Sequence, residues 1–263
     1  KETFLLLNNI FFIAAALTVL VGTIYPLFSE IIYNSSVSIG APYYNFAFNL
    51  LMAPIILLMA FAPQIKWGEH KKKNNQTFYI IAISIVITAI VYYLLGNIFF
   101  ALSVFITMPL FIKSFLVFFK KVSKDRSFFA QWLAHLSIGL FIVAAVYTEQ
   151  FDYEKNITFE KGDNNEIVLD KDTSLLLENI KDSDLSNHQK ISIDLIVLEK
   201  NLKYSLSPSK NIYQPSGQVT NEVSTVNRYF DQYYATISMI ESDKVSINLV
   251  YKPFINLLWI SSI

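Results

Sequence analysis

FFAQWLAHLSIGLFIVAAVY, residues Phe128–Tyr147, is an apolar run with one histidine, His135, inside it. About 20 residues at about 1.5 Å rise each match a hydrocarbon core of about 30 Å, so the run reads as a transmembrane helix. His135 lies seven residues past Phe128, roughly 10 Å along the axis and too deep for its ring to snorkel easily to the headgroups. An ionisable ring at that depth faces protein, water or a cofactor, and is a functional-site candidate. Three roles stay open: a neutral imidazole satisfied by a backbone carbonyl, a metal or haem ligand, and a proton relay. Trp132 at i−3 and Gly139 at i+4 put an aromatic and a small residue on the same face, where a flat ring or another backbone could approach.

Composition agrees with a membrane chain. Of 263 residues, 53% are hydrophobic and 16% charged, against about 25% charged in typical globular proteins, and the mean hydropathy is +0.40. The net charge of zero hides a split, with acidic residues almost absent before residue 149 and concentrated after it. Without cysteine, thiolate metal sites, disulfides and thiol relays are excluded. The chain starts at Lys1 with no signal-peptide pattern, and the apolar run from Phe254 stops at Ile263. Both ends are expected to be interior points of a longer protein.

The fold expected is an α-helical transmembrane bundle over residues 1–148, of five complete spans at about 9–27, 46–65, 78–95, 98–119 and 128–147. Residues 254–263 would start a truncated last span. Pro26 falls near the end of the first span, while Pro54 and Pro63 predict kinks or breaks in the second. Ser29–Asn45 reads as a polar loop, WGEHKKKNN as a basic turn, and Gly96–Asn97 as a very tight turn. Lys66, Lys71, Lys72 and Lys73 flank one loop, and Lys120, Lys121, Lys124 and Arg126 fill another; the remaining two connections carry no Lys or Arg. The positive-inside rule makes the basic loops cytoplasmic, places His135 nearer that side, and puts everything after Tyr147 outside.

Residues 149–253 read as an extracytoplasmic all-β domain of seven to nine strands, a barrel or a sandwich. Its alternating runs include Lys190–Lys200, Tyr233–Ile240 and Lys244–Tyr251, divided by turn signals at Gly162–Asn165, Ser207–Lys210, Pro215–Gly217 and Glu241–Asp243. Seven glycines leave little material for a phosphate-cradling loop. His70 reads as a solvated residue of the basic turn and His188 as a loop residue between strands. With one membrane histidine, the chain alone cannot build a zinc site or a bis-histidine haem site. The acidic residues of the β domain show no paired spacing for general acid–base work and read as a solvated surface.

Several stretches resemble one family in order. LLLNNIFFIAAALTVLVGTIYPLF (Leu5–Phe28), VSIGAPYYN (Val37–Asn45) and LLMAPIILL (Leu50–Leu58) are similar to the C-terminal half of the CcmF-type cytochrome c haem lyases. So are AHLSIGLFIV (Ala134–Val143), TVNRYFDQYYATI (Thr225–Ile237) and VYKPFINLLWI (Val250–Ile260). The resemblance implies that His135 is one of two membrane histidines ligating the iron of a b-type haem. It also implies a function, receiving haem from a haem chaperone and helping attach it to the CXXCH cysteines of apocytochrome c, with the membrane haem b as reductant. The partners implied are the chaperone, thiol-handling subunits of the maturation system, apocytochrome c, the N-terminal part of the same lyase and the lipid bilayer; no nucleic acid is expected. The place implied is the bacterial inner (plasma) membrane with a periplasmic β domain, the mitochondrial inner membrane being the alternative.

The family's tryptophan-rich segment, second membrane histidine and two external histidines are not found, and Trp67, Trp132 and Trp259 are scattered. The chain is therefore expected to be the C-terminal part of such a lyase, inactive alone, with no catalytic residue assigned. Rival readings are a transporter fragment whose His135 relays protons through helices broken at proline, and a structural assembly subunit without haem.

Overall fold

A computed structural model describes residues 2–34, 37–61, 75–120, 125–160, 166–200, 202–214, 216–241 and 244–263. His70, Pro63, the turn signal Gly162–Asn165 and most of both basic loops lie outside the described residues. Five helices have the length and composition to cross a membrane: α1 (Glu2–Tyr33), α2 (Ala41–Phe61), α3 (Gln76–Leu95), α4 (Ile98–Lys120) and α5 (Arg126–Phe151). Their outward apolar side chains, such as Leu20, Phe46 and Tyr93, stay exposed, as expected where lipid rather than protein is the solvent.

The helices overrun the apolar windows of the sequence. α1 continues through Pro26 to Tyr33, and α2 starts at Ala41 and runs through Pro54. The helices thus take Ser29–Tyr33 and Ala41–Asn45 out of the predicted loop, because a helix need not end where its apolar stretch does, and Asn34 closes α1 in the left-handed region (φ 49°). Proline costs α2 one backbone bond, which neighbouring turns absorb. Gly96–Asn97 is the tight turn expected. Gly96 (φ 67°) donates to Tyr92 O at 2.8 Å, and Asn97 Oδ1 caps α4 by accepting from Phe100 N at 2.9 Å.

The chain divides into two compact units, Lys1–Val143 with Ser261–Ile263, and Ala144–Ile260. In the first, α1 meets α2 where Gly22 admits the rings of Tyr43 and Tyr44. A Cβ at Gly22 would fall 2.7 Å from Tyr43 Cε1, and the Tyr43 hydroxyl donates to Thr18 O at 3.1 Å. Ile56 and Ala60 of α2 pack on Leu110 of α4. The buried hydroxyls of Ser84 and Thr107 bond within their own helices, to Ile80 O and Ser103 O, as a medium without water requires, whereas the buried Thr88 hydroxyl of α3 meets no acceptor or donor among the described residues.

The second unit holds ten strands among the described residues. One sheet has the order β1 (Tyr153–Glu160), β10 (Lys244–Lys252), β9 (Asp231–Ile240), β8 (Ser224–Arg228). The other has the order β2 (Glu166–Asp170), β3 (Thr173–Asp184), β4 (His188–Glu199), β6 (Ser209–Tyr213), β7 (Val219–Glu222), with β5 (Leu202–Leu206) also on β4. Every pairing is antiparallel. Period-2 alternation turns Ile157, Phe159, Ala235, Ile237, Val245, Ile247 and Leu249 of one sheet onto Leu175, Leu177, Ile193, Leu195 and Val197 of the other in one core. This is the sandwich rather than the barrel.

Three expectations need correction. The strand number exceeds seven to nine because β5 and β6 are short strands laid end to end along the 12-residue β4. The turn expected at Ser207–Lys210 is only 207–208, since Ser209 and Lys210 already pair with Glu222 and Asn221. His188 is not a loop residue. It opens β4 opposite Tyr213, and the two rings lie 5.0 Å apart.

Candidate functional site

α5 holds His135 on a helix whose start is fixed by Asp125, whose carboxylate accepts from Phe128 N at 2.8 Å. One turn back from the histidine, the Gln131 carbonyl lies 2.6 Å from His135 Nδ1. A carbonyl can only accept, so Nδ1 carries a proton, and in the neutral ring Nε2 is the nitrogen with the lone pair. A backbone carbonyl holding one ring nitrogen in this way fixes the orientation of an imidazole whose other nitrogen can bind a metal.

His135 opens on a cavity of about 220 Å³ walled by Met59 and Ala60 of α2, Leu110, Lys113, Ser114 and Val117 of α4, and Phe128, Gln131 and Trp132 of α5. Ligand pockets usually measure about 300–1,000 Å³, so these residues form one wall of a site rather than a closed pocket. Trp132 is pinned to α4, its Nε1 donating to Ser114 O at 3.2 Å and its ring 4.7 Å from that of Phe118. The face shared by Trp132, His135 and Gly139 does not take a foreign ring along its whole length. At Gly139 the ring present is Phe111, and a Cβ there would lie 2.8 Å from Phe111 Cζ. The open part of the face is the end with Trp132 and His135.

Lys113 escaped the sequence reading. It sits inside the apolar α4 run, is 6% exposed, lines the same cavity as His135, and holds its ammonium 5.5 Å from the centre of the Phe61 ring. The signal was present, since an ionisable residue within a membrane span is a functional-site candidate.

These residues fit one side of a haem: apolar walls for a macrocycle, an imidazole with its Nε2 lone pair available, and a cation. Among the described residues the membrane unit holds no second histidine, and His188 belongs to the β unit. No group of three or more metal-ligating side chains exists among the described residues, and there is no cysteine.

In the β unit most acids are exposed, as a solvated surface requires, and some of them are also held by donors. Ser209, Lys190 and Asn211 bond Glu222 and lower its pKa to about 2, and Lys181 and then Ser207 lower that of Asp194. A second cluster centres on Arg228, which pairs with Glu199 at 2.8 Å and Asp231 at 3.6 Å. Tyr251 donates to Asp231 at 2.6 Å, and burial raises the pKa of Tyr153, Tyr233 and Tyr251, keeping the phenols neutral. The other oxygen of Asp231 accepts from Phe254 N at 3.0 Å, and Asn256 Nδ2 donates to the carbonyls of Tyr229 and Asp231. The cluster joins the Thr225–Ile237 segment to the start of α6 (Ile255–Ser262). Its task is positional.

No family model matches the chain. It is 24% identical over 270 residues to the cytochrome c-type biogenesis protein CcmF of Escherichia coli K12, which covers 98% of this chain and 41% of that protein. It is 26% identical over 284 residues to the CcmF of Haemophilus influenzae, covering 100% of this chain and 43% of that one, and 26% identical over 281 residues to the cytochrome c-type biogenesis protein CycK of Rhizobium meliloti, covering 98% and 41%. A solved structure named cytochrome c heme lyase CcmF superposes with a TM-score of 0.79 at 17% identity, over 99% of this chain and 44% of that one. The chain thus spans about two fifths of the length of the curated relatives it matches.

Proposed function

We propose that the chain works in cytochrome c maturation as the C-terminal part of a CcmF-type cytochrome c haem lyase, a reading supported by the similarity of nearly its whole length to two fifths of such proteins. In this reading the complete lyase takes haem from a haem chaperone and supports its attachment to apocytochrome c. The β unit is periplasmic, the basic loops are cytoplasmic, and the membrane is the bacterial inner membrane.

The observation that carries the reading is the hydrogen bond from His135 Nδ1 to Gln131 O, which leaves Nε2 as the nitrogen for a ligand on a residue that lines a mostly apolar cavity. His135 would be one axial ligand of a haem b. The bound haem would supply one-electron chemistry, reducing incoming haem so that thioether bonds can form. The chain's own part is to orient the imidazole through Gln131, to pin the wall through Trp132 and Ser114, and to exclude water with Met59, Leu110 and Phe128. The second axial ligand and the surface that handles incoming haem would come from the other part of the lyase. Apocytochrome c, the chaperone and the thiol-handling subunits are the proposed partners, and the β unit is the surface offered to them.

The test is a reduced-minus-oxidised absorbance spectrum of the complete lyase, with and without His135→Ala. A b-type signal lost in the variant is expected. An unchanged spectrum would overturn the ligand assignment, and absence of haem from the unmodified lyase would return the cavity to a proton-relay or purely structural role.

A further inference from the structure

We propose that Lys113 is the counter-charge for a carboxylate of the ligand seated against His135, which on the haem reading above is a propionate. A charged side chain inside a membrane helix is costly and is kept where it meets a partner or a ligand. Lys113 is not placed to escape that cost at the surface. It lies seven residues before the end of α4, about 10 Å down the axis, and its side chain is buried.

Depth also matters. Measured from the connection between α4 and α5, His135 lies nine residues into its helix, about 14 Å. The backbone of Lys113 therefore stands about 3 Å nearer the connection than that of His135, so the two residues lie at nearly the same depth. An apolar macrocycle ligated by His135 Nε2 has its acidic edge on one side only. An edge turned toward the nearer headgroups would bring its carboxylates to the level of Lys113.

The described walls add chemistry to the placement. They are apolar apart from Lys113, Ser114, Gln131 and His135, so a ligand entering here meets one ammonium among mostly apolar side chains. Charge-assisted hydrogen bonds of this kind contribute roughly twice as much as neutral ones. Lys113 is a positioning and affinity residue in this proposal and takes no part in the electron transfer itself.

The test uses the complete lyase, stripped of haem and reloaded with haem or with its dimethyl ester, in three forms: unmodified, Lys113→Met and Lys113→Arg. Retention is read from the b-type absorbance. The unmodified protein should prefer haem to the ester by about tenfold. Lys113→Met should abolish that preference and lower the midpoint potential, since a lost cation no longer favours the reduced state, and Lys113→Arg should restore most of both. If the unmodified lyase discriminates haem from the ester and Lys113→Met discriminates equally, the counter-charge proposal is overturned while the His135 ligand stands. If the unmodified lyase binds neither, or His135→Ala retains both, the haem reading fails, and this proposal with it.

Discussion

His135 and Lys113 show how a single side chain acquires meaning in a membrane. The histidine was legible as a candidate because it is the lone imidazole of its run, yet three roles stayed open. Only the position of the Gln131 carbonyl says which nitrogen is protonated. Lys113 was passed over because one cation in a run as apolar as α4 leaves the average hydropathy high, and its meeting with α5 depends on a hairpin of two helices. Outside the membrane, Glu222 makes a simpler case. Its carboxylate is held by Ser209, Lys190 and Asn211 and its pKa falls from 4.5 to about 2. A depressed carboxylate contributes stability that is complete above the usual value and is lost as pH falls toward the depressed one. Amide exchange in β6 and β7 should therefore accelerate between pH 4.5 and about pH 2 relative to the rest of the β unit, and Glu222→Gln should remove that pH dependence. An unchanged profile in the variant would mean that the bonds to Glu222 do not hold these strands.

At the level of elements, the spans and the alternating strands β4, β9 and β10 were readable from apolar periodicity, and the Gly96–Asn97 turn from its residues. Helix ends were not, because α1 and α2 continue past the apolar windows. The pairing of β5 and β6 along β4 and the Arg228 cluster are contacts between residues far apart in sequence, which no local pattern announces. Asp231 illustrates the consequence. It accepts from Tyr251 and from Phe254 N and faces Arg228, so the β8–β9 hairpin and the start of α6 are set by one carboxylate. Phe254 has a φ of 59°, a strained conformation for a residue with a side chain that the surroundings must impose. Asp231→Ala should cost about 2 kcal/mol, leaving a partly buried guanidinium underpaired. Faster proteolysis at residues 229–231 in the variant, with β3 and β4 still protected, would locate the loss at this joint. Uniform loss of protection would instead mark Asp231 as part of the global core.

For the whole molecule, the order of segments and the class of the fold could be read from the sequence, while the two-sheet form of the β unit and the walls of the His135 cavity needed three dimensions. One feature of the β unit bears on how such a protein can change. Thr148 at the end of α5 donates to Pro253 O at 2.6 Å, Tyr147 lies 4.6 Å from Phe254, and Tyr153 pairs with Tyr251. Entry and exit of the domain are thus zipped side by side. Replacing residues 153–251 of the complete lyase by a short turn should preserve membrane insertion and the b-type absorbance but abolish co-purification of the maturation partners. Retained co-purification would remove the domain from their docking surface. A stem closed in this way behaves as a socket. Modules whose own ends are neighbours could be grafted onto it or exchanged without rethreading the spans that precede it in the chain.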